Sequence, residues 1–328
     1  MAGADVLLVS LGSTAGLRAA DLELAAALER AGAAVAVVAA TRPREVRTLA
    51  LTDLLWARAA RAAAVGGIAR NAPRAVVYCT TTAALLWPRP GAIRFDAPAA
   101  ATRPGRPGVW QRPVERRRLA RAPLLVPQAG GALAEAGPAA AGVPAVVVPI
   151  PVEPSGPSRP AAARDIAALT YAANPGKKGL DRVLDAWARA RRPGEELVVT
   201  GTDRVPRADG VRATGPLAPA AHRALLRRAR VYVTAPRRED YGLAQLEALA
   251  DGAQLVTTAA PGPYAALPLA RALDARLVGD DLAGALRAAL DAPSAGYAER
   301  ALEAIAPFRR AAVDATVARR LLPALLGR

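Results

Sequence analysis

Two carboxylates, Glu239 and Glu247, stand eight positions apart in the stretch from Pro236 to Glu247, Pro-Arg-Arg-Glu-Asp-Tyr-Gly-Leu-Ala-Gln-Leu-Glu. The stretch follows a short apolar strand, Val231-Tyr232-Val233-Thr234, and runs into an alanine-rich helix. One carboxylate therefore belongs to the loop before the helix and the other lies about one turn inside it. Gly242 falls between them, where the backbone turns sharply or comes close to something. A helix starting there presents free N–H groups, which attract anionic or hydroxyl-rich ligands. Carboxylates on either side of such an end suit a ligand with phosphate in the middle and hydroxyls at both ends. A nucleotide sugar has that layout.

The basic residues are almost all arginine, and the only two lysines are adjacent, Lys177 and Lys178, in Asn174-Pro175-Gly176-Lys177-Lys178-Gly179. Lysine kept at one place in an arginine-biased chain points to a task for a compact point charge, such as holding a phosphate. A solvated charged turn accounts for the same local pattern.

Composition narrows the classes. The chain has 328 residues, enough for two ordinary domains, and 52% are hydrophobic. With two Phe, one Met and four Trp, the cores must be mostly Leu, Val and Ala. Cys79 is the single cysteine and His222 the single histidine, which leaves no internal disulfide and no cysteine- or histidine-based metal cluster. No apolar run approaches the ~20 residues of a membrane span. The N-terminus lacks a signal-peptide pattern, so a cytoplasmic protein is expected, peripheral at most to the inner membrane face. The net charge of +16 with 4% aromatic residues gives basic character without stacking platforms. That disfavours nucleic acid and favours an anionic substrate or an anionic membrane surface.

Along the chain, Asp5–Ser10 reads as a buried strand, followed by a loop with Gly12, Ser13, Thr14 and Gly16. A helix is expected over 19–31 and strands over 34–39, 75–78, 124–126 and 145–148. Asp96 is placed at a strand end, where loop capping is the other explanation for it. Residues 149–164 are Pro-rich and polar and read as a connection. The alternation then restarts. Strands are expected at 167–171, 196–200, 211–213, 231–234 and 254–258, with helices at 180–191, 219–230 and after Gly242. A terminal helix spans 307–326. The expected domains are thus 1–150, a linker at 151–164, 165–306, and a C-terminal helix at 307–328.

With these pieces in order, the chain resembles the retaining glycosyltransferases of the GT-B fold, of the bacterial mannosyltransferase and glycogen synthase type. Arg238–Gly252 looks like the family's EGFGLPLLEAMACG element, and Gln254 through Gly262 like the VVTSDVGG segment. Tyr171–Leu180 looks like GRLSPEKGL, and Leu197–Gly201 holds the place of the strand ending in a Gly-Asp-Gly turn. The resemblance implies an α/β fold of two Rossmann-like, doubly wound domains facing across a cleft, with the C-terminal helix returning to the N-terminal domain. It implies hexosyl transfer from a UDP- or GDP-sugar without metal or other cofactor. Glu247 would accept from the ribose hydroxyls, and Glu239 would contact the donor sugar near its reacting carbon. Backbone at Tyr241, Gly242 and Leu243 would bind pyrophosphate or sugar hydroxyls, and Lys178 would neutralise the leaving diphosphate. Lys177, Arg238, Asp240, Gly201 and Gly215 complete the expected donor site. Asp96 is the polar candidate of the N-terminal half, and the Gly12–Gly16 loop would lie near acceptor and diphosphate.

The chain departs from that pattern in three places. An arginine is usual five or six residues before the lysine, but positions 172 and 173 are alanine; Lys177 or Arg238 is the candidate replacement. The family's N-terminal histidine has no counterpart, since His222 lies in the C-terminal half on what reads as an ordinary surface helix. No Asp-x-Asp pair occurs. Arg103–Arg121 carries seven arginines and one acid, Glu115. It is either a basic amphipathic helix for an anionic membrane, with Trp110 at the interface, or a solvated helix face. The acceptor is left open as lipid-linked, polysaccharide or small molecule. The alternative function is a catalytically weakened paralogue that binds nucleotide sugar as a partner or sensor.

Overall fold

The computed structural model describes residues 3–44, 46–157 and 159–327, which divide into two compact units. Unit 1 is Met1–Pro151 with Arg310–Arg328, and unit 2 is Val152–Arg309.

Unit 1 holds five parallel strands: β1 (Val6–Ser10), β2 (Val35–Ala39), β3 (Ala75–Tyr78), β4 (Ala92–Phe95) and β5 (Leu125–Pro127). Their order is β2-β1-β3-β4-β5. Continuous apolar runs such as Val-Leu-Leu-Val form them because helices cover both sheet faces. Alternate side chains feed two apolar clusters. Val6, Leu8, Val77 and Val126 pack on one face, and Leu7, Val9, Val76, Tyr78 and Leu125 on the other. The first cluster also takes Val313, Val317, Leu321 and Leu322 from the C-terminal segment. Arg30 fixes that segment from the helix Ala15–Arg30 by pairing with Asp314 at 2.7 Å.

Three expectations need correction here. Residues 145–148 are not a strand; Val146 and Val148 N–H donate to Leu125 and Pro127 oxygens at 2.9 Å, but Pro144 and Pro149 keep the run from extending. Strand β4 was not among the expected strands, although Asp96 follows its end. The terminal helix is not uniform. A 3₁₀ turn at Ala306–Phe308 precedes the helix Arg310–Thr316, and Val317–Leu321 is a π turn before Leu322–Leu326. Pro323, which lacks an N–H and crowds the preceding turn, explains the widening.

Unit 2 holds β6 (Ile166–Tyr171), β7 (Leu197–Thr200), β8 (Val211–Ala213), β9 (Ala229–Thr234) and β10 (Gln254–Thr257), ordered β10-β9-β6-β7-β8 and all parallel. Chain order reverses between β6 and β9. In such sheets the crevice beyond the carboxyl ends at the reversal is where ligands bind. The helices Ala266–Leu273, Leu282–Asp291 and Tyr297–Ala304, absent from the sequence reading, complete this unit. The unit's two ends meet, with Val152 N–H donating to the Phe308 oxygen at 2.8 Å. No described helix is long and apolar enough to cross a membrane.

Candidate functional site

The loops leaving β6 and β9 carry the two lysines and the motif carboxylates, so the sheet's reversal brings together segments about sixty residues apart. The lysine loop is one turn of helix, Pro175–Lys178, capped by Asn174, whose side chain accepts from the Lys177 N–H at 3.0 Å. Gly179 ends that turn in the left-handed region at φ 64°, and a Cβ there would sit 1.8 Å from the Ala235 oxygen. Only glycine lets the lysine turn lie against the end of β9.

Lys178 Nζ donates to Glu239 Oε2 at 2.7 Å, and Gln245 Nε2 donates to the same oxygen at 2.9 Å. Glu239 is buried, and its loop is pinned from β10's side. Its N–H donates to the Pro261 oxygen, its carbonyl accepts from Tyr264 N–H, and Gly262 packs so close that a Cβ would meet the Glu239 oxygen at 2.2 Å. Lys177 Nζ and Arg238 Nε both bind Asp240, at 2.5 and 2.7 Å. Burial pushes the Asp240 carboxyl up, but the hydrogen bond and charge of Lys177, with Arg238, outweigh it and hold the group below its ordinary range. Positions 172 and 173 supply no charge, and Lys177 and Arg238, the neighbouring cations, share the Asp240 carboxylate.

Gly242 takes φ 91° and opens the helix Leu243–Ala250, whose first turn has no side-chain cap. Its N–H groups are therefore available beside Tyr241, Gly242 and Leu243. Glu247, in the second turn, is partly exposed and lies 3.5 Å from Arg223 Nη1. Burial raises its carboxyl above the ordinary value; Arg223 opposes that and Asp251 adds to it. Arg223 is in turn held by Asp251 at 2.6 Å and by the Glu153 carbonyl. Gly201, at φ 89° after β7, donates to the Gly215 oxygen at 2.9 Å, and a Cβ on it would strike Ala173 N and the Tyr171 ring. The Gly201–Gly215 contact thus lies beside the end of β6.

His222 corrects the sequence reading. It faces inward from the helix Pro219–Arg228, with Nδ1 3.1 Å from Thr200 Oγ1 and its ring edge-on to Tyr171. Its Nε2 has no partner among the described residues. Burial, then the Arg223 charge, lower its pKa to about 4. The sequence reading gave no site role to Gln245, Arg223, Gly262 or Tyr264. Gln245 and Gly262 lay inside the quoted segments, whereas nothing local marks Arg223.

In unit 1, Thr14 caps the helix Ala15–Arg30 by accepting from Leu17 N–H, and Gly12 turns at φ 61° with its carbonyl bound by Arg18. Ser13 and Gly16 are exposed. Asp96 accepts from the adjacent Ala97 N–H at 2.8 Å, a turn-closing contact. Within Arg103–Arg121, the helix Gln111–Leu119 buries Gln111, Glu115 and Leu119 and exposes Arg116 and Arg117. Trp110 spends its N–H on the Ala50 carbonyl and Arg103 pairs with Asp53. Among the described residues no three His, Cys, Asp or Glu side chains come together as metal ligands.

Residues 164–291 match the family model described as glycosyl transferases group 1. A search of curated proteins finds no match. Among solved structures, WaaG, a glycosyltransferase involved in lipopolysaccharide biosynthesis, superposes with a TM-score of 0.71 at 15% identity, covering 98% of this chain and 100% of that one. Sucrose-phosphate synthase from Thermosynechococcus elongatus gives 0.66 at 16% identity over 97% and 99%. Anabaena Alr3699/HepE, in complex with UDP, gives 0.68 at 15% identity over 96% and 98%. At these identities the likeness carries the fold.

Proposed function

We propose, from the match of residues 164–291 to the glycosyl transferases group 1 model and from the GT-B fold of the chain, that the protein moves a hexosyl group from a nucleoside diphosphate sugar to an acceptor hydroxyl. The observation that carries this reading is Lys178 against Glu239 at the sheet's reversal, beside an uncapped helix N-terminus and one turn before Glu247. A diphosphate seated on the free N–H groups takes Lys178 as its counter-charge, releasing Glu239 toward the sugar. Glu247 accepts from ribose hydroxyls. The acceptor oxygen bonds to the anomeric carbon as the carbon–diphosphate bond breaks, and the hydroxyl proton passes to the diphosphate oxygen; configuration is retained. Lysine and helix N–H groups supply the charge stabilisation, so the reading needs no metal. The UDP complex of the similar HepE structure favours a nucleoside diphosphate. Exposed Arg116 and Arg117 favour an anionic membrane surface near the acceptor.

The alternative, a slow paralogue serving as nucleotide-sugar sensor, draws support from alanines at 172 and 173. Calorimetry with UDP, GDP and their hexose conjugates tests both. One nucleotide series should bind, and Glu247→Ala should weaken it by roughly 1–3 kcal/mol, the cost of orphaning a hydrogen bond. Binding without turnover over a panel of acceptors favours the sensor; no binding to either series sinks both.

A further inference from the structure

We propose that a cavity on the opposite, amino-terminal edge of the unit 2 sheet binds a small soluble phosphate ester or similar multiply charged oxyanion. The cavity measures about 460 Å³, a size that accommodates a sugar phosphate or a nucleotide. Arg164 precedes β6, Arg230 is the second residue of β9 and Gln254 the first of β10, so the cavity lies at the far ends of the strands that carry Lys178 and Glu239.

Charge is the argument. Among the described residues two arginines are buried, Arg94 at 2% exposure and Arg164 at 6%. Arg94 is matched by the Asp21 carboxylate at 2.8 Å. Arg164 instead donates to three neutral carbonyls, those of Arg159, Ala229 and Asp251, at 3.2, 2.9 and 2.8 Å. Neutral carbonyls satisfy N–H groups without cancelling the charge, and the carboxylate that acts on it, that of Asp251, is already bonded by Arg223 and Ser155, so the cost of burial is only partly offset. Each terminal nitrogen keeps a second hydrogen beyond these bonds. Arg230, half-buried, likewise binds a carbonyl, that of Leu290. Neither it nor Arg159 has a carboxylate partner among the described residues. Three arginines thus line the cavity against one carboxylate, Glu299, which is exposed at its edge.

The walls are shaped to leave the guanidinium approachable. Gly252 sits at φ 75°, and a Cβ there would come within 2.7 Å of Arg164 Nη2. Any other residue would crowd the buried charge. A concave wall with paired guanidinium donors matches the flat forks of phosphate oxygens. Burial depresses the Arg164 pKa, and the Asp251 charge opposes that shift without overcoming it.

Calorimetric titration of the full chain with inorganic pyrophosphate tests this. Two classes of site are expected, one at each edge of the sheet. The double variant Arg159→Ala, Arg230→Gln should lose one class or weaken it at least tenfold, while Lys178→Ala weakens only the other. Arg164 is left intact because it ties three carbonyls. A second variant, Ala298→Glu, places a carboxylate on the wall with all arginines retained and should abolish the same class. Because the two edges are scored separately, failure here is distinguishable from failure of the donor site. Isotherms of both variants that superimpose on wild type overturn the proposal. Co-sedimentation with phosphatidylglycerol vesicles, lost in both variants while the pyrophosphate step is absent, would overturn the soluble ligand in favour of a lipid headgroup.

Discussion

Lys178 Nζ and Glu239 Oε2 are 2.7 Å apart, and the pair joins the loop after β6 to the loop after β9. Each partner is seated by a glycine that nothing larger can replace, Gly179 for the lysine and Gly262 for the carboxylate. Removing the lysine charge should leave the fold intact and cost catalysis. Lys178→Ala is expected to lower kcat by roughly 10²–10³, in the range of a lost transition-state donor, with a smaller change in donor affinity. Steady-state kinetics beside calorimetry would show it; an unchanged kcat would take the lysine out of the mechanism.

The close approach at Gly262 makes a backbone prediction. Gly262→Ala must move the Glu239 carbonyl and abandon φ 113°. Donor affinity should fall together with Tm, by about 2 kcal/mol or more in stability. Gly130→Ala, at the first residue of the helix Gly130–Ala136 with open space around it, should leave both nearly unchanged.

Glu115 lies on the buried face of the arginine-rich helix, with one oxygen bound by Ala99 N–H at 2.7 Å and the other without a partner among the described residues. Burial raises its pKa to about 7, against the opposing hydrogen bonds of Thr81 and Ala99. Its folded pKa is above the unfolded one, so its contribution is full below about 4.5 and is lost as pH rises through about 7. Glu115→Gln should remove this slope and raise stability at pH 8 by up to the order of 3 kcal/mol. Denaturant melts at pH 5 and 8 would show no difference in slope if Glu115 is already ionised.

His222 has the opposite sign. Its folded pKa of about 4 is below the ordinary 6.5, so its stability is present above 6.5 and is lost as pH falls toward 4. His222→Gln, which can keep a bond to Thr200, should make the protein less sensitive to acid over that window. Acid titration followed by circular dichroism compares the two; coincident curves would mean the ring is solvated.

The meeting of the loops after β6 and β9 was legible where chemistry is local. A glycine, three acids and a helix start fall within the twelve residues 236–247, and a lone lysine pair stands out in an arginine-rich chain. What failed depended on contrast or on distance. Alanine-rich helices show little difference between faces, so His222 read as a surface residue and the three helices after β10 went unseen. Arg223 meets Glu247 only because the sheet order brings their helices together, 24 residues apart in sequence. The run 145–148 had the apolar character of a strand, but its flanking prolines decided otherwise. Pro323 was visible and its effect on the terminal helix could have been anticipated.

The helical segment from Arg310 onward shares a core with the protein's first strand, Val313, Val317 and Leu321 packing with Val6 and Leu8. A ribosome delivers β1 before unit 2 and that segment after it. Domains usually fold in the order in which they emerge, yet here unit 1 has an unfilled apolar face until the segment from Arg310 is made. Unit 2, whose ends are already hydrogen-bonded to each other, can finish first. The unit that supplies β1 is therefore the later one to mature, and its waiting surface is the one that chaperones and proteases would meet.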